Sequence, residues 1–151
     1  MKTLLHLIAI FTLLMIITSD AAAEERYSWR DTLNAIRQVE TGGEPNDGVG
    51  ARGDGGSAIG PYQIHRIYHT DAAERDKTLT NYQSCLSSKS YSERVMKAYM
   101  NRYARAELRR LQAGQGTRAD VEKIARIHNG GPRGHKKRAT DGYWAKVARH
   151  L

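Results

Sequence analysis

The chain has 151 residues, with 24 Lys and Arg against 16 Asp and Glu and a formal net charge of +8. That excess favours polyanionic partners such as nucleic acid, anionic lipid or a bacterial wall, and the single cysteine, Cys85, excludes a disulfide within the chain. The length leaves room for one small core, and there is no internal repeat or low-complexity tract to suggest a second unit.

Met1 to Ala23 reads as a secretory signal peptide. Lys2 gives a short positive start, Leu4 to Ile17 is almost wholly apolar, and Ala21-Ala22-Ala23 offers small residues for cleavage. His6 and Asp20 leave a run shorter than the roughly 20 apolar residues of a membrane anchor, so none is expected. The domain is then 24–151, secreted to the extracellular space or into a lysosome-like or digestive vacuole. Export and the lack of a recognisable nucleic-acid module turn the basic charge towards bacterial surfaces and anionic wall polymers rather than nucleic acid. In that oxidising compartment the fold must rest on packing, with Cys85 a small, partly buried apolar residue. No Asn-x-Ser/Thr glycosylation acceptor occurs.

Ser28 and Asp31 form a capping box for a helix running to about Thr41, where Gly42-Gly43 stops it. Trp29, Leu33, Ile36 and Glu40 share one face, so Glu40 ends an otherwise apolar stripe. Desolvation against the core and the negative end of the helix dipole both favour a protonated acid at that place. From Gly42 to Gly60 glycine recurs eight times, which predicts turns and a short, irregular β-hairpin. Gly48-Val49-Gly50-Ala51-Arg52-Gly53 spells G-x-G-x-x-G, but a dinucleotide site needs a strand before it and a helix after it. Asp54 and Ser57 lie in this polar run, where turn hydrogen bonds are expected to keep Asp54 ionised.

Gly60-Pro61-Tyr62-Gln63 breaks the loop and opens a second helix through Ala73. His65 and His69, four apart, could share a face, but no convincing third ligand follows and no metal or cofactor is expected. Asp76 to Ser90 reads as a polar loop. Ser90 with Glu93 is a second capping box, starting one long helix to about Ala113, with Val95, Met96, Tyr99, Met100, Tyr103 and Leu111 in the core. Arg102, Arg105, Arg109 and Arg110 face solvent. Thr117 and Asp120 cap a further helix whose apolar face, Val121, Ile124 and Ala125, ends on His128 just before Asn129-Gly130-Gly131-Pro132. Gly134 to Arg138 is an exposed basic loop, and a last helix carries Tyr143, Trp144, Val147 and Leu151.

Two carboxyl groups in unlike environments, Glu40 and Asp54, are what glycoside hydrolysis requires: a protonated acid and an ionised partner. The surrounding residues carry a resemblance. Val39-Glu40-Thr41-Gly42, Asp54-Gly55-Gly56-Ser57-Ala58-Ile59-Gly60-Pro61-Tyr62-Gln63-Ile64, Ala98-Tyr99-Met100-Asn101-Arg102-Tyr103, and Ala125-Arg126-Ile127-His128-Asn129-Gly130-Gly131-Pro132 with Gly142-Tyr143-Trp144 resemble the invertebrate-type (destabilase-like) lysozymes, in order and over most of 24–151.

The resemblance implies a lysozyme-like α+β fold, mainly α-helical, with a glycine-rich loop beside the cleft. It implies a muramidase that cleaves the β-1,4 bond between N-acetylmuramic acid and N-acetylglucosamine in bacterial cell-wall peptidoglycan. Glu40 matches the general acid/base and Asp54 the second carboxylate, with retention favoured. Carboxyls about 5 Å apart would make Asp54 a nucleophile, whereas about 7–9 Å would admit an inverting water. Ser57, Tyr62, His128 and Asn129 match substrate-binding positions along the sugar cleft.

Some relatives are credited with isopeptidase activity from a serine and a lysine. Ser57 fits the serine, but His65 stands at the lysine position, which leaves His65 or His128 as the base. The absence of disulfides departs from the family, and each missing bridge ordinarily costs about 2–5 kcal/mol in a small secreted domain. The reading outside enzymology is a non-catalytic cationic protein that disturbs bacterial surfaces by charge.

Overall fold

The computed structural model describes residues 24–151, and the expected signal peptide lies outside them. Helix α1, Trp29–Thr41, begins at the expected capping box: Ser28 Oγ accepts from Asp31 N–H (3.2 Å) and Asp31 Oδ2 accepts from Ser28 N–H (2.8 Å). Such a box contributes on the order of 1 kcal/mol. It ends at Gly42, whose φ of 65° is left-handed, the conformation glycine adopts without a Cβ penalty. Leu33, Ala35 and Ile36 are buried and place α1 at the centre of the core.

A one-turn helix α2 (Glu44–Asp47) leads into three two-residue strands, β1 (Arg52–Gly53), β2 (Ala58–Ile59) and β3 (Ile64–His65). They form an antiparallel sheet in the order β1-β2-β3, with Gly53 opposite Ala58 and Ala58 opposite His65. The predicted hairpin thus has a third strand. The helix expected from Gly60 starts later: α3 spans Arg66–Ala73 with His65 as its N-cap. Gly60 (φ 75°) and Gln63 (φ 45°) are both left-handed, which a continuous helix forbids. At Gly60 a Cβ would also stand 1.8 Å from the Cys85 carbonyl oxygen, so only glycine fits.

Asp76 to Ser90 is not merely a polar loop. Leu79, Tyr82 and Cys85 are buried, and α4 (Ser84–Ser87) carries the cysteine. Helix α5, Lys89–Tyr103, is capped by Ser88, which accepts from Tyr91 N–H, and not by Ser90. Glu93 is taken instead by the Tyr62 hydroxyl at 3.0 Å. The long helix breaks at Ala104 (φ −149°, ψ 46°), and α6, Arg105–Gln112, turns Leu108 and Leu111 into the core against α7, Arg118–Gly130. Residues Arg102, Arg105, Arg109 and Arg110 are exposed, as expected.

Helix α7 begins at the Thr117–Asp120 capping box and buries Val121, Ile124, Ala125 and His128. In the basic segment beyond it Lys136, Lys137 and Arg138 are exposed, but Gly134 is buried, and Lys137 Nζ donates to the Gly130 carbonyl at 2.7 Å. Helix α8, Asp141–Val147, and a final 3₁₀ turn pack back on α1. The architecture is the mainly helical α+β arrangement anticipated. Among the described residues no helix is long and apolar enough to cross a membrane.

Without disulfides, the glycine-rich loop is held by other contacts. Gly50 N–H donates to Leu86 O and Gly60 N–H to Ala51 O, both at 2.8 Å. The Tyr82 hydroxyl sits between the carbonyls of Ser57 (2.8 Å) and Ile64 (2.9 Å). Asp47 pairs with Arg37 (2.9 Å) and Lys89 (2.8 Å), tying α2 to α1 and α5. Main-chain hydrogen bonds and one buried tyrosine thus span the loop.

Candidate active site

Glu40 stands in the last turn of α1 with its side chain 17% exposed. Its neighbours come from two distant helices. Tyr143 of α8 donates its hydroxyl to Glu40 Oε1 at 2.6 Å, and His128 of α7 brings Nε2 to 3.3 Å from the same oxygen. Desolvation pushes the Tyr143 phenol well above its usual range, aided by the Glu40 charge and hydrogen bond, so the hydroxyl remains a donor.

Behind His128 lies Tyr68, its hydroxyl 3.4 Å from Nδ1 and its ring edge-on at 5.5 Å. Tyr68 stacks on Tyr99 at 3.6 Å between ring centroids, and burial, followed by Tyr99 and Glu40, raises its phenol too. Both ring nitrogens of His128 thus have a polar partner, the Tyr68 hydroxyl at Nδ1 and Glu40 Oε1 at Nε2. Both of these polar contacts of the Glu40 carboxyl fall on Oε1. Among the described residues Oε2 has no protein hydrogen-bond partner.

Asp54 contrasts with it at every point. It opens a 3₁₀ turn, Asp54–Gly56, with a left-handed φ of 47° that aspartate tolerates better than most side chains. Its side chain is 70% exposed, and Oδ2 lies 3.0 Å from His65 Nε2. The expected turn hydrogen bonds form, but Ser57 N–H (3.2 Å) and Oγ (2.7 Å) donate to the Asp54 main-chain carbonyl. They shape the turn and leave the carboxylate to His65.

The sheet and the ends of α1 and α7 enclose a cleft of about 320 Å³ lined by Glu40, Asp54, Ala58, Gln63, His65, His128 and Asn129. Hollows of about 350 Å³ between α1 and α5 and about 400 Å³ beside α5 and α6 are no smaller, yet neither gathers two carboxyl groups. Chemistry, not volume, distinguishes this cleft.

Five predicted site residues, Glu40, Asp54, His65, His128 and Asn129, therefore meet in one place. Two do not. Tyr62 is fully buried, its hydroxyl on Glu93, and cannot touch a sugar in the cleft. Ser57 is outside the lining residues, and its hydroxyl is committed to the Asp54 carbonyl. Among the described residues no histidine hydrogen-bonds Ser57, so the serine–histidine arrangement needed for an isopeptidase nucleophile is not assembled. His65 and His69 do not share a helical face: His65 ends β3 in the cleft, whereas His69 is buried with Nε2 2.9 Å from the Tyr91 hydroxyl.

Sequence reasoning missed Tyr143 as the partner of Glu40, His65 as the partner of Asp54, and Tyr68 behind His128. Tyr143 and Glu40 are 103 residues apart, and no local pattern links them. The alternation Ile64-His65, one side chain buried and one facing the cleft, was the available signal for His65.

Comparison with known proteins identifies the family and fold. Residues 30–150 match the Destabilase family. "Lysozyme 1" of Crassostrea virginica is 36% identical over 116 residues, 76% of this chain and 55% of that protein, so the chain spans about half the length of that relative. "Invertebrate-type lysozyme 6" of Caenorhabditis elegans is 36% identical over 124 residues, covering 78% of this chain and 83% of that one. A chain in the crystal structure of Aeromonas hydrophila PliI in complex with Meretrix lusoria lysozyme superposes with a TM-score of 0.60 at 31% identity, over 81% of this chain and 89% of that one. With sequence, fold and family match in agreement, the chain belongs to the invertebrate-type, destabilase-like lysozyme family.

Proposed function

We infer that the chain is a lysozyme, a glycoside hydrolase that cleaves the β-1,4 bond between N-acetylmuramic acid and N-acetylglucosamine in bacterial peptidoglycan. The observation that carries this reading is the pairing, across one polar cleft, of a sheltered Glu40 with an exposed Asp54. Among the described residues each carboxyl has one oxygen engaged by the protein and one without a protein hydrogen-bond partner.

That asymmetry supports a retaining double displacement. Glu40 delivers a proton from Oε2 to the glycosidic oxygen as the bond to the sugar breaks. The Asp54 carboxylate attacks the anomeric carbon through Oδ1, giving a glycosyl ester with inversion. The Glu40 carboxylate then removes a proton from water, which displaces Asp54 with a second inversion and net retention. His128 and Tyr143 keep Glu40 oriented through the cycle. Asn129 lines the cleft with an amide suited to the hydroxyl and acetamido groups of the sugar, beside Gln63, whose Nε2 donates to the Gly60 carbonyl at 2.9 Å. The formal charge of +8 suits a secreted protein that works on an anionic wall.

Clearing of a Gram-positive wall suspension tests the reading. Wild type should clear it, while Glu40→Gln and Asp54→Asn, which preserve size, should each lose at least about 100-fold of the rate while remaining folded. Equal clearing by both variants would place the activity elsewhere or leave only the effect of charge.

A further inference from the structure

We propose that His65 is the positioning residue of the nucleophile: it holds Asp54 Oδ2 so that Oδ1 is presented to the sugar. The proposal rests on the glycosidase reading above and adds a residue to it. Asp54 has little else to hold it. It is flanked by Gly53, Gly55 and Gly56, its side chain is 70% exposed, and among the described residues His65 is the only side chain paired with its carboxylate. A carboxylate free to rotate in water spends most of its time misaligned, and a misplacement of about 1 Å costs about 100-fold in rate.

The register of the small sheet explains how a residue two strands away reaches the loop. Gly53, Ala58 and His65 lie in one row across β1, β2 and β3. Strands are about 4.8 Å apart, so the His65 and Asp54 side chains together bridge roughly 10 Å of sheet to meet. Ala58 in the middle of the row carries only a methyl group, which leaves room beside His65, while the Gln63 amide oxygen takes the space above Gly53. His65 itself stands on firm ground: the preceding Ile64 is 1% exposed, and His65 serves as N-cap to α3. A rigid strand thus steers a side chain on a glycine-flanked turn.

The test isolates the step that Asp54 performs. With a 2-deoxy-2-fluoro chitobiosyl fluoride, the Asp54 Oδ1–C1 bond forms as C1–F breaks and fluoride leaves with the bonding pair, so no proton from Glu40 is needed. Wild type should acquire one such label on Asp54 by mass spectrometry. His65→Ala should label about 10- to 100-fold more slowly and show the same fall in kcat on a soluble chito-oligosaccharide, with KM within about twofold. His65→Gln, whose amide nitrogen reaches about as far as Nε2, should recover most of the rate.

Labelling of His65→Ala at the wild-type rate would overturn the proposal alone, and so would a Gln variant as slow as the Ala variant. No label on the wild type would overturn the nucleophilic role of Asp54 and the positioning role with it. A fall in all variants accompanied by lower melting temperatures would assign His65 to folding and likewise overturn the proposal.

Discussion

Replacing Tyr143 by Phe removes one hydroxyl and leaves the ring that packs against the core. The lost bond is a 2.6 Å donation to Glu40 Oε1. A hydrogen bond of this kind contributes about 1–3 kcal/mol, the upper part of the range applying to a charged acceptor. Here part of that is recovered, because His128 Nε2 stands 3.3 Å from the same oxygen and Glu40 is 17% exposed to water. The net loss of stability should be about 1–2 kcal/mol, which at a urea m-value of about 2 kcal/mol/M lowers the midpoint by about 0.5–1 M.

Activity should fall for a separate reason. Glu40 loses one of its two restraints, and each 1.36 kcal/mol of orientation lost in the transition state costs about tenfold. A tenfold lower kcat on a soluble oligosaccharide, with KM nearly unchanged because Tyr143 does not line the cleft, is the expected result. The variant Tyr143→Phe/His128→Gln gives a second reading, since both partners act on one oxygen and their effects should not add. An unchanged midpoint and kcat in the single variant, or strict additivity in the double, would refute the network.

Two further predictions concern the scaffold. Asp120 is buried and accepts from Arg110 Nε and Thr117 N–H, both at 2.9 Å, and these bonds, that of Arg110 foremost, hold its carboxyl below the usual value. A folded value below the unfolded one of about 3.9 gives stability that is fully present above about pH 4 and is lost as the pH falls through the folded value. Asp120→Asn should therefore cost about 2 kcal/mol near neutrality, less than a fully buried pair because Arg110 is half-exposed, and the difference from wild type in urea midpoint should shrink below about pH 4. A pH-independent difference would contradict the assignment. Cys85 is fully buried, and burial pushes its thiol up to about 11. At pH 8 the native protein should react negligibly with an aromatic disulfide reagent and stoichiometrically once unfolded in guanidinium; fast native labelling would refute that burial.

Much of the scaffold was legible locally. Ser28 with Asp31 and Thr117 with Asp120 set the starts of α1 and α7, because a capping box is a contact between neighbours in sequence. The 3.6-residue spacing of Trp29, Leu33, Ile36 and Glu40 put Glu40 at the end of a buried stripe, and the same argument put His128 at the end of another. The polar, glycine-rich run around Asp54 indicated a turn, although the Ser57 hydrogen bonds expected at its carboxylate go to its main-chain carbonyl.

Where two local signals competed, tertiary contacts chose between them. Ser88 rather than Ser90 caps α5 because Tyr62, buried from the sheet side, takes Glu93. The helix breaks at Ala104 with neither glycine nor proline there, so that Leu108 and Leu111 can reach the core.

The working state of the site was decided wholly at this level. Residue type and periodicity determined that this chain would hold two unlike carboxyls at the ends of a helix and a glycine-rich turn. They could not determine that Tyr143 would arrive from 103 residues away to hold Glu40, or that Ala58 would leave room beside His65 for it to meet Asp54. Those contacts depend on helix packing and strand register, which arise from the whole core closing at once and have no counterpart in the spacing of neighbours along the chain.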